Sequence, residues 1–169
     1  MKFNENGIIE PGLHTSTIPE VCEFLVNNFD TSQTRKKIFD NFIKFFSLLV
    51  KNFEVYEIWI DGSFTTAKIN PNDIDVVVFF YVESFNSIVG KWESIRQIPN
   101  LDVYPAVAIC DDTMKKLSPQ DYGEQINNRN YWKGQFGYSR DDIPKGIIVL
   151  KETALKSFVG GDFNVNDNN

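Results

Sequence analysis

Asp73 and Asp75 stand two residues apart at the head of an unbroken apolar run, residues 76–82, and this pairing restricts the chain more than any other feature. Such a run reads as a buried strand, and alternate residues of a strand point to one face. Both carboxylates therefore look at one point in space. At ~4 Å and an effective dielectric of about 20 their repulsion is ~4 kcal/mol, on top of the cost of desolvation. A divalent cation is the simplest remedy, and Mg²⁺ characteristically takes one or two carboxylates together with the phosphates of a substrate.

The stretch before it supplies a complementary half. Residues 54–60, rich in β-branched and aromatic side chains, read as a strand that ends at Asp61-Gly62-Ser63. Glycine lets backbone approach a ligand with no Cβ in the way, and amides that open a helix attract anions. A phosphate held at Gly62 and Ser63 would lie beside the metal, with the Ser63 hydroxyl and Lys68 placed to reach its β- or γ-oxygens. Asn70-Pro71-Asn72 is a turn just before Asp73.

A hydrophobic strand, Gly-Ser, nine intervening residues and then Asp-Ile-Asp-Val resembles the signature of the polymerase-β-type nucleotidyltransferase superfamily. That family adds a third carboxylate from a later strand, and Leu101-Asp102-Val103-Tyr104 matches the element. Pro11-Gly12-Leu13-His14, residues 61–68, Trp132-Lys133-Gly134-Gln135-Phe136-Gly137 and Lys145-Gly146-Ile147-Ile148 further resemble a group of small single-domain bacterial members.

The resemblance implies an α/β (α+β) fold, a short mixed sheet flanked by helices. It also implies transfer of a nucleoside monophosphate from a nucleoside triphosphate to a hydroxyl. Asp73, Asp75 and Asp102 would be the catalytic carboxylates and hold Mg²⁺ or Mn²⁺; Gly62, Ser63, Lys68 and Arg140 would hold the nucleotide's phosphates. Minimal members of this kind resemble the nucleotidyltransferase halves of toxin-antitoxin and phage-defence pairs. The alternatives are a nucleotide- or partner-binding module without turnover, and an unrelated α/β domain that carries the pattern by chance, which requires Asp102 to lie far from the other two.

At 169 residues the chain suits one domain, expected over 1–159, with a helical part (1–52), a sheet core (53–110) and carboxy-terminal helices with a β-hairpin (111–159). Residues 160–169, rich in asparagine and glycine, read as a disordered tail. A formal charge of −6 argues against an extensive nucleic-acid surface and favours a protein acceptor or partner over RNA. No run approaches a membrane span and the first residues lack a signal-peptide layout, so a cytoplasmic location is expected. Cys22 and Cys110 read as reduced, buried thiols. Fifteen phenylalanines point to an aromatic core.

Elsewhere, Thr17 and Glu20 form a capping box for a helix over 18–28. His14, the only histidine, lies in a turn where a bond to backbone explains it; a general-base role would need the amino-terminal segment to fold over the site. Ile38, Phe42, Phe45, Phe46, Leu49 and Phe53 recur at helical spacing, and Arg35-Lys36-Lys37 reads as a solvated first turn. Ser84 caps a helix to about 98, and Pro105 argues for an edge position or a local break in the strand 101–109. Asp111-Asp112 caps a short helix, followed by another over 119–130. Residues 131–150, aromatic and glycine-rich, read as a hairpin whose aromatics can stack on a base and whose Arg140 offers a planar fork to phosphate.

Overall fold

The structure is a computed structural model that describes residues 1–159; the expected tail lies outside the described residues. Five strands, β1 (Gly12–Ser16), β2 (Val55–Asp61), β3 (Ile74–Phe80), β4 (Leu101–Val107) and β5 (Gly146–Lys151), form one mixed sheet in the order β1-β5-β2-β3-β4. β2 runs antiparallel to β3 and β5; β1 with β5 and β3 with β4 are parallel. Helices cover both faces, so the mixed sheet flanked by helices is as the sequence implies.

One face meets α1 (Ile18–Cys22), with a π-helical turn over Glu23–Asn27, and α2 (Arg35–Asn52). Phe42, Phe45, Phe46 and Leu49 of α2 are buried against Ile58, Ile60, Val76, Val78 and Val103, alternate residues of three strands. Truncating one such phenylalanine to alanine would cost ~3–5 kcal/mol. The expected capping box is formed, Glu20 N–H donating to Thr17 Oγ1 and Thr17 N–H to Glu20 Oε2.

The other face lies beneath α6 (Pro119–Phe136), whose Trp132 and Phe136 pack on Trp59, Val77, Phe79 and Val149. Glu57, fully buried on this face, is paired with Arg129 of α6 and with Lys151, and accepts from Trp59 Nε1 at 3.1 Å. The Arg129 guanidinium also lies 4.5 Å from the Trp59 ring centroid. A single carboxylate thus ties α6 to two strands.

Several expectations are corrected. The carboxy-terminal hairpin is reduced to a single antiparallel bridge, Tyr138 with Pro144, around the expected 141–144 turn: 131–136 continue α6, because Arg129, Trp132 and Phe136 share the helical face that meets the sheet. β5 instead enters between β1 and β2, since Ile147 and Val149 feed one core and Ile148 and Leu150 the other. A strand apolar on both faces needs a covering layer on each, which the position between the helices of the two faces provides. β1 itself was not foreseen; its run GLHTS has only Leu13 as a large apolar residue. The expected 84–98 helix is α3 (Val82–Ile88), a 3₁₀ turn at Val89–Lys91 and α4 (Trp92–Ile95), with Gly90 at the break; Ser84 instead accepts from Glu54 N–H at 2.9 Å. Arg35 is buried rather than solvated, while Lys36 and Lys37 are exposed.

Pro105 does lie on an edge strand, β4. Both cysteines are free thiols and half-buried rather than buried. α5 (Asp111–Lys116) and α7 (Glu152–Val159) complete the helices, and among the described residues no helix is long and apolar enough to cross a membrane.

Candidate active site

Asp61 is the register partner of Asp75 across β2 and β3, and Asp75 is the partner of Asp102 across β3 and β4. Register partners point to one face, and neighbouring strands lie about 4.8 Å apart. Three carboxylates thus share a row across about 10 Å of sheet, on the face that carries Trp59, Val77 and Tyr104. Asp73, just before β3, adds a fourth close enough to act on Asp75 electrostatically.

The row is graded in burial. Asp61 is buried, Asp73 and Asp75 are half-buried, and Asp102 is exposed. Asp61 is held by Lys145, whose Nζ donates to Oδ2 at 2.7 Å, and by the Thr65 hydroxyl, 3.3 Å from Oδ1. Burial pushes the Asp61 carboxyl up to about 6, against the opposing pull of the Lys145 ammonium and the Gly62 amide. Burial, followed by the negative charges of Asp73 and Asp102, pushes Asp75 to about 6 as well, with Lys145 and Arg140 acting the other way.

Gly62 is built around Asp75. It adopts φ +85°, in the region L side chains avoid, and a Cβ there would lie 2.1 Å from Asp75 Oδ2. The glycine thus admits a carboxylate of its own chain against the backbone. Behind it Arg35 fixes the connecting segment: Nε and Nη2 donate to Lys68 O, Nη2 also to Thr66 O, and Nη1 to Phe64 O and Leu25 O, at 2.6–3.2 Å. Its guanidinium lies 3.7 Å from the Phe29 ring centroid, and burial lowers its pKa to about 10. One side chain thus satisfies four backbone carbonyls, three of them within 64–68, and fixes the path of the chain through and after the 3₁₀ turn Ser63–Thr65.

A cleft of about 650 Å³ opens on the row. Gly62, Ser63, Asp73 and Asp75 line it, with Lys68, Arg140 and Lys145 as cations, and Tyr104, Tyr131, Trp132 and Tyr138 as rings. Of the residues expected from sequence, Gly62, Ser63, Lys68, Asp73, Asp75 and Arg140 all reach this one cleft; Asp102 adjoins it as Asp75's strand partner. Lys68 and Arg140 are exposed there. His14 lies in β1 rather than in a turn, and its Nε2 is 2.6 Å from Glu10 O. Its register partner Ile148 belongs to the opposite core, so the imidazole stays out of the cleft.

Sequence reasoning missed Asp61, Lys145 and Arg35. Asp61 was visible as the residue before the glycine; Lys145 stood in a segment of resemblance but without a role, because it reaches Asp61 only through the insertion of β5 beside β2. Among the described residues, no three His, Cys, Asp or Glu side chains converge closely enough to hold a metal ion as they stand. In kind, however, the donors fit Mg²⁺ or Mn²⁺: carboxylate oxygens, in one row, beside two acids pushed upwards in pKa.

Residues 1–151 match a family of unknown function, DUF6932, and the chain belongs to that family. No curated protein and no solved structure matches the chain.

Proposed function

We propose that this protein is a metal-dependent nucleotidyltransferase, moving a nucleoside monophosphate from a nucleoside triphosphate to a hydroxyl of an acceptor. The observation that carries this reading is the row Asp61, Asp75 and Asp102, set against a glycine whose missing side chain makes room for Asp75. Like charges gathered at a half-buried strand end oppose folding, and such arrangements mark functional sites.

Asp73, Asp75 and Asp102 would hold Mg²⁺ or Mn²⁺, which supplies positive charge to the phosphates when bound. Gly62 and Ser63 would seat the β- and γ-phosphates, while Lys68 and Arg140 lie on the same cleft with charge to match. Lys145 keeps Asp61 oriented and lowers the net charge of the row. Exposed Asp102 would take the proton of the acceptor hydroxyl as its oxygen attacks the α-phosphorus. The α–β bridging P–O bond breaks, and pyrophosphate leaves. The negative overall charge favours a basic protein acceptor over RNA, in keeping with the resemblance to toxin-antitoxin and defence pairs.

A second reading, a nucleotide- or partner-binding module without turnover, is favoured by two features. Lys145 already neutralises Asp61, and no three carboxylates converge among the described residues. Incubating the protein with each α-labelled nucleoside triphosphate and Mg²⁺ or Mn²⁺, with and without host lysate, separates the two. Label on a discrete protein or RNA, absent for Asp73→Asn/Asp75→Asn, is the expected result. Metal-dependent nucleotide binding with no label anywhere would establish the binding module instead.

A further inference from the structure

Five aromatic rings line the cleft, those of Tyr104, Tyr131, Trp132, Phe136 and Tyr138, and their arrangement has no role in the phosphate chemistry. Tyr104 follows Asp102 by two residues on the same face of β4, about 7 Å along the strand. Its ring lies 4.8 Å from that of Trp132 of α6, which is braced in turn by Phe136 at 5.6 Å. Tyr131 stands edge-on to Trp132, at 5.1 Å and 73°. Yet Tyr131 is 55% exposed and Tyr138 50% exposed, so two large rings are left facing water at the cleft. The buried Trp132 Nε1 has no hydrogen-bond partner, which costs ~1–3 kcal/mol.

We propose that this wall is a stacking site for a planar heteroaromatic ring, with Tyr131 as the stacking plane, so that the cleft takes nucleotides in preference to plain polyphosphates. The inference rests on the nucleotidyl-transfer reading and adds to it the part of the substrate that gives selectivity. Three features support it. The cleft's lining is bipartite, acids and cations from the sheet ends and loops, rings from β4, α6 and the segment after α6. The exposed Tyr131 ring is held by a packed neighbour, so little conformational freedom is lost on stacking. Tyr138, half exposed on the same cleft, is a second ring open to the base.

The test is calorimetric titration of the intact protein in Mg²⁺ with ATP, GTP, CTP, UTP and inorganic tripolyphosphate, repeated on Tyr131→Ala and Tyr131→Phe. Tyr131 is exposed, and circular dichroism would verify that both variants stay folded. At least one nucleotide should bind ~5–150-fold more tightly than tripolyphosphate, the range expected of one base on one ring. Tyr131→Ala should remove most of that margin and leave tripolyphosphate binding unchanged, whereas Tyr131→Phe should keep it. Equal affinities for nucleotides and tripolyphosphate, or a Tyr131→Ala loss shared by both, overturn the stacking site alone. If none of the five ligands binds, the nucleotidyl-transfer reading falls with it.

Discussion

The α-carbon of Gly62 abuts the carboxylate of Asp75, so that a methyl group on residue 62 would lie 2.1 Å from Oδ2. Sterics and backbone agree here, because φ is +85°. Gly62→Ala should destabilise the protein by about 1–3 kcal/mol from the backbone alone, since φ +85° with ψ −162° is a region essentially reserved for glycine, and more because Asp75 must move. Urea denaturation measures the first effect, and nucleotide transfer, expected to vanish, the second. An unchanged denaturation midpoint would show that the site is not packed this way.

Asp75→Asn should separate stability from function. Asp75 lies between Asp61 and Asp102 in the row, and its charge is opposed by burial, Asp73 and Asp102. Removing that charge relieves the repulsion, so the metal-free variant should melt at a higher temperature than the wild type. Transfer should be lost with it. A variant that transfers normally would refute the carboxylate assignment.

The pH dependence follows from the same two groups. Asp61 and Asp75 titrate near 6 in the folded chain, above the usual carboxylate value of 3.8. Between about pH 4 and 6 the folded state therefore binds more protons than the unfolded one, and stability falls as pH rises. Above about 6 the full penalty is present. Metal-free protein should thus have a melting temperature that declines across this window, measured by calorimetry. Mg²⁺ should raise it at pH 7.5 and have much less effect at pH 5, since carboxylates must lose their protons to bind. Chelation should reverse the gain.

Arg35 is a positioning residue at a distance from the chemistry. Arg35→Ala would leave the carbonyls of Leu25, Phe64, Thr66 and Lys68 without this donor, and should cost more than ~3 kcal/mol. Arg35→Lys retains the charge but not the fork. It should be the milder in stability, yet should still weaken tripolyphosphate binding, because the 64–68 segment loses its template. A pure core role would leave binding by the folded Arg35→Lys protein unaltered.

Much of the site was legible in the chain because strand parity is local. Asp73 and Asp75 share a face by spacing alone, Gly62-Ser63 announces a turn, and the phenylalanines of α2 mark their own buried stripe. The capping box at Thr17 was equally plain. Residues 131–138 misled because their aromatics and glycines read as one arm of a hairpin, whereas Gly134 lies in open space on α6 and Gly137 ends it, with Lys133 O where a Cβ would go. Helical spacing of Arg129, Trp132 and Phe136 outweighed that reading once a sheet was there to receive them.

What the sequence by itself determined is therefore a set of faces: which residues of each strand and helix look the same way. Only the tertiary structure decided which faces meet. The order β1-β5-β2-β3-β4 sets Asp61 beside Asp75, brings Lys145 onto Asp61 and lays the rings of α6 over the cleft. Periodicity is written in neighbouring residues, but the choice of strand partner depends on burying both faces of β5 at once, and that condition exists only when the whole sheet has assembled.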